Sequence, residues 1–307
     1  MTKLSITSAS FSKSEILTKT LTSHFPNCRF NTTGAVLSGT TLIDFIGDSE
    51  AIIVGLDPIT DDILTHCPNL KYISKYGVGM DNIDQDACAK HGLTIGWTGG
   101  INRRSVAEMA LGFMLSLSRN LYQSSSKLSS GTWHKFGGFQ LTGKIIGIIG
   151  MGHIGKELVS LLKPFDCRLL ANDIIDQAEY YNAHQIEEVD KETLFSNSDI
   201  ISLHTPLTDQ TAHMINKESL SLMKKESFLI NTARGGLVDL LALKRALLDN
   251  QLLGAALDVY EEEPPTDLEL LGLENVFCTP HIGGNAKESI LAMGHSAIDH
   301  LIEFYQK

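Results

Sequence analysis

Short apolar runs alternate with longer amphipathic stretches along most of the chain. LSITSA at 4–9 predicts a strand, and EILTKTLTSHF at 15–25 the helix behind it. AIIVGL at 51–56, YIS at 72–74 and LTIGWT at 93–98 predict further strands, each bounded by Gly, Pro, Asp or Asn, with helical candidates such as DDILTHC between them. A long apolar helix is expected over 103–119, RRSVAEMALGFMLSLSR, followed by the loop SSGTWHKFGGFQLTG. SSSKLSSG at 124–131 is short enough to be a loop or a helix end. A second series then begins: KIIGIIG, RLLANDI, DIISLHT, SFLINTA, GAALDVY and NVFCTP. These runs are rich in Ile, Leu and Val with little polar alternation, as strands buried on both faces require. The last stretch, from Ala286 to the end, reads as one helix. Strand then helix, repeated, implies a parallel sheet covered by helices on both faces. A composition break at TGGIN, 98–102, separates the two series, so the chain is expected to form two doubly wound α/β domains.

Length and charge narrow the partners. The 307 residues suffice for two cores, and 43% hydrophobic with 20% charged residues is ordinary for a globular chain. A net charge of −11 repels nucleic acid and anionic membranes, so neither is an expected partner. No secretory signal and no apolar run long enough to span a bilayer is found, and five scattered cysteines without a C-x-x-C pair argue against a disulfide framework or zinc ribbon. A cytoplasmic protein is the expectation. His295 and His300 are five apart on the last helix and do not share a face, and no H-E-x-x-H occurs, so no metal site is expected.

The chemistry concentrates in the second series. GMGHIG at 150–155 follows the strand IIGII and opens the helix KELVSLLKPF, the context in which G-x-G-x-x-G binds a dinucleotide. Gly150 permits the tight turn, Gly152 lets backbone approach a pyrophosphate, and Gly155 lets helix and strand pack closely. The helix-start amides, with His153 and Ile154 among them, then face the anion. Asp173 ends the next strand, 18 residues after Gly155. A carboxylate there accepts from both ribose hydroxyls and repels a 2′-phosphate, which favours NAD over NADP. His204 follows a strand and is placed on the adenine side.

Arg234 in INTARGG, Glu263 in DVYEEEPP and His281 in TPHIGG each stand just past the carboxyl end of an expected strand, where open α/β sheets bind ligands. Together they suit hydride transfer at a carbon bearing a hydroxyl. Histidine exchanges the proton near neutral pH, a carboxylate on its far nitrogen fixes the tautomer, and arginine grips a substrate carboxylate. Glu261 and Glu262 compete with Glu263 on this reasoning alone.

With these motifs the chain resembles the D-isomer-specific 2-hydroxyacid dehydrogenases, and most of all their D-3-phosphoglycerate dehydrogenase branch. The resemblance runs through YGVGMDNID at 76–84, TGGINRRSVAE at 98–108, GMGHIG, LHTPLTDQTAHMI at 203–215, NTARGGLVD at 231–239, ALDVYEEEPP at 256–265 and TPHIGG at 279–284. It selects Glu263 as the partner of His281. It implies Asp258 and Thr232 near the nicotinamide, Thr205 and Pro206 near the adenine, and Thr211, Ala233, His281 and Gly283 as further cofactor contacts. It implies a discontinuous substrate domain, 1–98 plus 286–307, with the NAD domain at 99–285 and the site in the cleft between them. Substrate contacts are expected from Lys75, Tyr76, Gly77, Val78, Gly79, Arg234 and His281, the loop amides holding the carboxylate. Lys75 stands where the branch often has arginine, and feedback control through that branch's C-terminal regulatory domain is not expected of these 307 residues. The expected activity is NAD-dependent oxidation of a D-2-hydroxyacid or the reverse reduction, with D-3-phosphoglycerate first and glyoxylate or hydroxypyruvate reduction as the alternative. An NAD(H)-sensing corepressor-like role is a third reading. A homodimer through the NAD domain is expected, because helix 103–119 is apolar on more faces than one lobe needs and Trp133 and Phe136 follow it. Arg103 and Arg104 open that helix, where the macrodipole disfavours cations and a bound anion would compensate; at least one of Lys75, Arg103 and Arg104, with Lys75 first, is expected to contact the distal anionic group of the substrate.

Overall fold

A computed structural model describes residues 2–306. The chain divides into two compact units, one running to Asn102 and resuming at Lys287, the other covering Arg103–Ala286.

The first unit holds strands β1 (Leu4–Ile6), β2 (Cys28–Phe30), β3 (Ala51–Val54), β4 (Tyr72–Lys75) and β5 (Thr94–Gly96). All pair in parallel, in the order β2-β1-β3-β4-β5. Because strand side chains alternate faces, Ala51 and Ile53 enter one core while Ile52 and Val54 enter the other. That is why AIIV is apolar at every position. The helix Lys287–Tyr305 returns to this unit from the far end of the sequence, burying Met293, Ala297, Ile298 and Leu301 against β1 and β4 residues. Ser74 donates from Oγ to its Ala297 carbonyl over 2.7 Å.

The second unit holds β6 (Ile145–Ile149), β7 (Arg168–Asn172), β8 (Ile186–Glu188), β9 (Ile200–Leu203), β10 (Phe228–Asn231), β11 (Gly254–Leu257) and β12 (Val276–Cys278). They form one parallel sheet in the order β12-β11-β10-β9-β6-β7-β8. The strand order reverses between β6 and β9, the switch point of a Rossmann sheet, where ligands enter at the carboxyl ends. Strands β2 and β8 were not expected from the pattern. Each is a three-residue edge strand with partly exposed side chains, too short to carry a period.

Candidate active site

The turn after β6 is shaped for backbone. Gly150 has φ +96°, and a Cβ there would lie 2.6 Å from the His204 carbonyl. The Gly150 amide donates to Asn172 O at the end of β7 over 2.9 Å. Gly155, one turn into the helix His153–Leu162, comes so close that its own Cβ would fall 2.2 Å from Gly150 O. Gly152 is the helix N-cap, carries no side-chain cap and has nothing within 4 Å of where a Cβ would point. The amides of His153, Ile154 and Gly155 are therefore first-turn donors without intrahelical acceptors, facing open space at the positive end of the helix. Asp173 is half-buried at the end of β7. Its Oδ2 accepts from the Met151 amide at 2.5 Å and its Oδ1 from Ile175 N at 3.0 Å. Gln177 Nε2 also reaches Oδ2, at 3.5 Å, so of the carboxylate's about four lone-pair sites the capacity left for hydroxyl donors is chiefly on Oδ1. Beside it Ile174 is 90% exposed, an apolar surface with no cover from this chain.

Three adjacent strands are followed by the three candidate residues: Arg234 after β10, Glu263 after β11 and His281 after β12. His281 Nδ1 lies 2.7 Å from Glu263 Oε2, while Glu263 Oε1 accepts from the Tyr260 amide at 3.1 Å. One carboxylate thus bonds both its own turn and the imidazole. Glu261 is engaged elsewhere, paired with His213 Nε2. His281 has φ +52°, a left-handed conformation rare outside glycine and strained by its surroundings. Asp258 holds it there. Its carboxylate is 1% exposed and accepts from Thr279 Oγ1 at 2.5 Å, Ile282 N at 2.8 Å and Gly283 N at 2.7 Å. The Arg234 turn is pressed against the Glu263 turn: a Cβ on Gly235 would lie 1.9 Å from the Tyr260 carbonyl carbon, so only glycine fits. Arg234 Nη1 donates to Ala233 O over 2.7 Å, and Asn231 Nδ2 donates to Arg234 O over 2.8 Å. Among the described residues, buried Thr232 Oγ1 has no hydrogen-bond partner.

In the first unit, β4 runs into the loop Tyr76–Asp81. Among the described residues, the amides of Gly77, Val78 and Gly79 donate to no protein acceptor. Three successive amides at the carboxyl end of a parallel strand are thus left as donors without a protein acceptor. Tyr76 is 8% exposed, its hydroxyl 3.4 Å from Ser10 Oγ and its ring edge-on to Phe11. It is core rather than surface.

A family model described as the NAD binding domain of D-isomer specific 2-hydroxyacid dehydrogenase matches residues 111–283. The chain belongs to the D-isomer-specific 2-hydroxyacid dehydrogenase family. It is 39% identical to the D-3-phosphoglycerate dehydrogenase of Methanocaldococcus jannaschii over 82% of this chain, but the match spans only 49% of that enzyme. It is 38% identical to the hydroxypyruvate reductase of Thermotoga maritima over 85% of this chain and 87% of that one. Among solved structures, the D-lactate dehydrogenase of Aquifex aeolicus in complex with NAD and lactic acid superposes with a TM-score of 0.87 at 28% identity, covering 99% of this chain and 95% of that one. The residues fit the NAD that the family model names: a turn cleared of side chains, unpaired helix-start amides, an acceptor carboxylate at the end of β7, and a buried orphaned hydroxyl on Thr232.

The structure gives several of the expected residues partners within the protein. Lys75 is 4% exposed and its ammonium donates to Gly55 O and Asn82 Oδ1. Arg103 and Arg104 find their compensation in carboxylates. Arg103 Nε lies 3.3 Å from Glu157, and Arg104 pairs with Glu108 at 2.6 Å and Glu157 at 3.2 Å. His204 does not line a ligand surface. It is buried, with Nε2 2.8 Å from Ser202 Oγ, and desolvation pushes its pKa down to about 3. Asp258 spends its carboxylate on the His281 loop, and the Thr211 hydroxyl ties its own loop, accepting from Thr208 N and donating to Pro206 O, each over 2.8 Å. Thr205 is half-buried and Pro206 exposed at the carboxyl end of β9. Helix Arg103–Ser118 buries Val106, Ala107, Ala110, Phe113 and Met114 in its own unit, so its apolar character is core packing. SSSKLSSG lies within a helix, Leu121–Ser129, apart from its last two residues. No sequence signal pointed to Asn82, Thr279 or the His213–Glu261 pair, which come together only through folding.

Proposed function

We propose that this chain catalyses NAD-dependent interconversion of a 2-oxoacid and the corresponding D-2-hydroxyacid. The His281–Glu263 pair at 2.7 Å carries the reading. With Nδ1 committed to Glu263, Nε2 is the ring atom left to give a proton to the substrate carbonyl oxygen in reduction, or to take it from the hydroxyl in oxidation. Glu263 holds the tautomer and stabilises the imidazolium while His281 is charged. When bound, the nicotinamide supplies or accepts the hydride. Arg234 is assigned to the substrate carboxylate and carbonyl, where a planar fork of donors orients both. The amides of Gly77, Val78 and Gly79 are assigned to the substrate carboxylate as well. The amides of His153, Ile154 and Gly155 are assigned to the pyrophosphate, Asp173 to the adenosine ribose, and Thr232, Ala233 and Gly283 to the nicotinamide end.

The substrate is drawn at the level of the 2-oxoacid class. The relatives include enzymes named for phosphoglycerate, hydroxypyruvate and glyoxylate. We also propose a homodimer through the NAD unit, supported by Trp133, Phe136 and Leu128, which are 77%, 62% and 56% exposed in one stretch of it. A reducing compartment suits the five cysteines, which carry no disulfide among the described residues. No described helix is long and apolar enough to cross a membrane.

The test is turnover of NADH with glyoxylate, hydroxypyruvate and 3-phosphohydroxypyruvate by wild type and His281→Ala. The variant should lose about 10²–10⁴ in kcat while NADH still binds. Wild-type kcat in the variant refutes the assignment. NADH binding without turnover of any acid by wild type favours a sensor.

A further inference from the structure

Lysine is among the side chains least often buried, yet Lys75 is 4% exposed at the last position of β4, directly before the loop with the three unengaged amides. Its Nζ reaches Gly55 O, just past the end of β3, at 2.5 Å and Asn82 Oδ1 at 2.6 Å. Asn82, on the far side of the loop, donates through Nδ2 to Gly55 O at 3.2 Å and to Asp57 O at 2.7 Å. Asp57 is itself 1% exposed and anchored by Thr7 Oγ1 at 2.6 Å and the Leu37 amide at 2.7 Å. The residue before the loop and the residue after it therefore grip the same carbonyl at the end of the neighbouring strand. Between them, Gly77 has φ +129°, and the Lys75 stem runs beneath it, with Cε 3.6 Å from where a Gly77 Cβ would sit.

We propose that Lys75 and Asn82 form a clip that sets the shape of the Gly77–Gly79 anion cradle. Lys75 is a positioning residue for the acid's C1 carboxylate, not a contact for its tail. This rests on the assignment of those amides to the substrate carboxylate. Burying an ammonium is costly unless its donors are bonded. Here the bonds to Gly55 O and Asn82 Oδ1 tie the loop at both ends. Every 2-oxoacid presents the same carboxylate to the cradle, so the clip serves all of them alike.

The experiment compares wild type, Lys75→Met and Asn82→Ala with glyoxylate, hydroxypyruvate and 3-phosphohydroxypyruvate. Loss of a charged hydrogen bond at this site should raise KM by about ten- to a hundred-fold. The rise should be the same for all three acids, with kcat at saturation and the NADH Kd close to wild type. Asn82→Ala should raise KM in the same tail-independent way, and it carries the test should Lys75→Met fail to fold. Unchanged KM overturns the clip, and a loss confined to the phosphorylated acid overturns it in favour of a tail contact. Amide hydrogen exchange across 76–82 gives a reading free of turnover: it should speed up about ten-fold or more in either variant, and wild-type exchange overturns the clip. If wild type reduces none of the acids, the functional reading fails while the exchange result still decides the clip.

Discussion

His204 makes this fold sensitive to mild acid in a calculable way. Its ring is buried at the end of β9, bonded through Nε2 to Ser202 Oγ, with Nδ1 buried and unpartnered. Desolvation penalises the imidazolium, pushing the pKa down to about 3 from an ordinary 6.5. A base with a depressed folded pKa takes up its proton first in the unfolded chain. The stability it leaves intact is complete above about pH 6.5 and falls as pH drops toward 3. From pH 7 to pH 5 the unfolded form is protonated over about 1.5 units while the folded form stays neutral, which amounts to about 2 kcal/mol at ~1.36 kcal/mol per unit. Gln in place of His204 keeps a donor for Ser202 and removes the basic ring. Urea unfolding of wild type and His204→Gln at pH 7 and pH 5 isolates the contribution. Wild type should lose about 2 kcal/mol more than the variant over this interval, and the His204 ring C2–H should show no titration by NMR down to pH 5. Equal losses, or a ring titrating near pH 6.5, would refute the buried neutral histidine.

Other consequences follow from single contacts. Gly235→Ala places a methyl into the Tyr260 carbonyl and should cost about 1–3 kcal/mol of stability, seen as a lowered urea midpoint; a wild-type midpoint means the Arg234 and Glu263 turns are not in contact. Asp173 should make kcat/KM higher with NADH than with NADPH, and Asp173→Ser should narrow the ratio by on the order of ten-fold; equal wild-type efficiency with both cofactors sinks this assignment. Trp133→Glu with Phe136→Glu should turn a dimer into a monomer by light scattering at micromolar concentration, and a monomeric wild type counts against the proposed interface.

The architecture and the candidate trio were legible because the physics behind them is local. Doubly buried parallel strands must be apolar throughout, so IIGII, FLIN and GAAL declare themselves, and a backbone that approaches phosphate must be glycine at Gly150 and Gly152. Arg234, Glu263 and His281 were visible as charges following buried strands. What stayed hidden depends on neighbours far apart in sequence. Nothing in KYGVG says that the Lys75 ammonium turns inward to Gly55 and Asn82, because a lysine's long stem permits surface and core alike until β3 lies beside β4. Nor does RRSVAE announce Glu157, which the helix His153–Leu162 brings to Arg103 and Arg104. The three glutamates after β11 are equivalent by composition, and only their turn, pinned by the Tyr260 amide, gives His281 to Glu263 and His213 to Glu261. Local pattern and steric demand thus determined the strands, the glycine turn and which charges sit at strand ends. The tertiary structure decided which partners Lys75, Arg103, Arg104 and His213 meet, because those partners lie on segments distant in sequence that only packing brings within bonding distance.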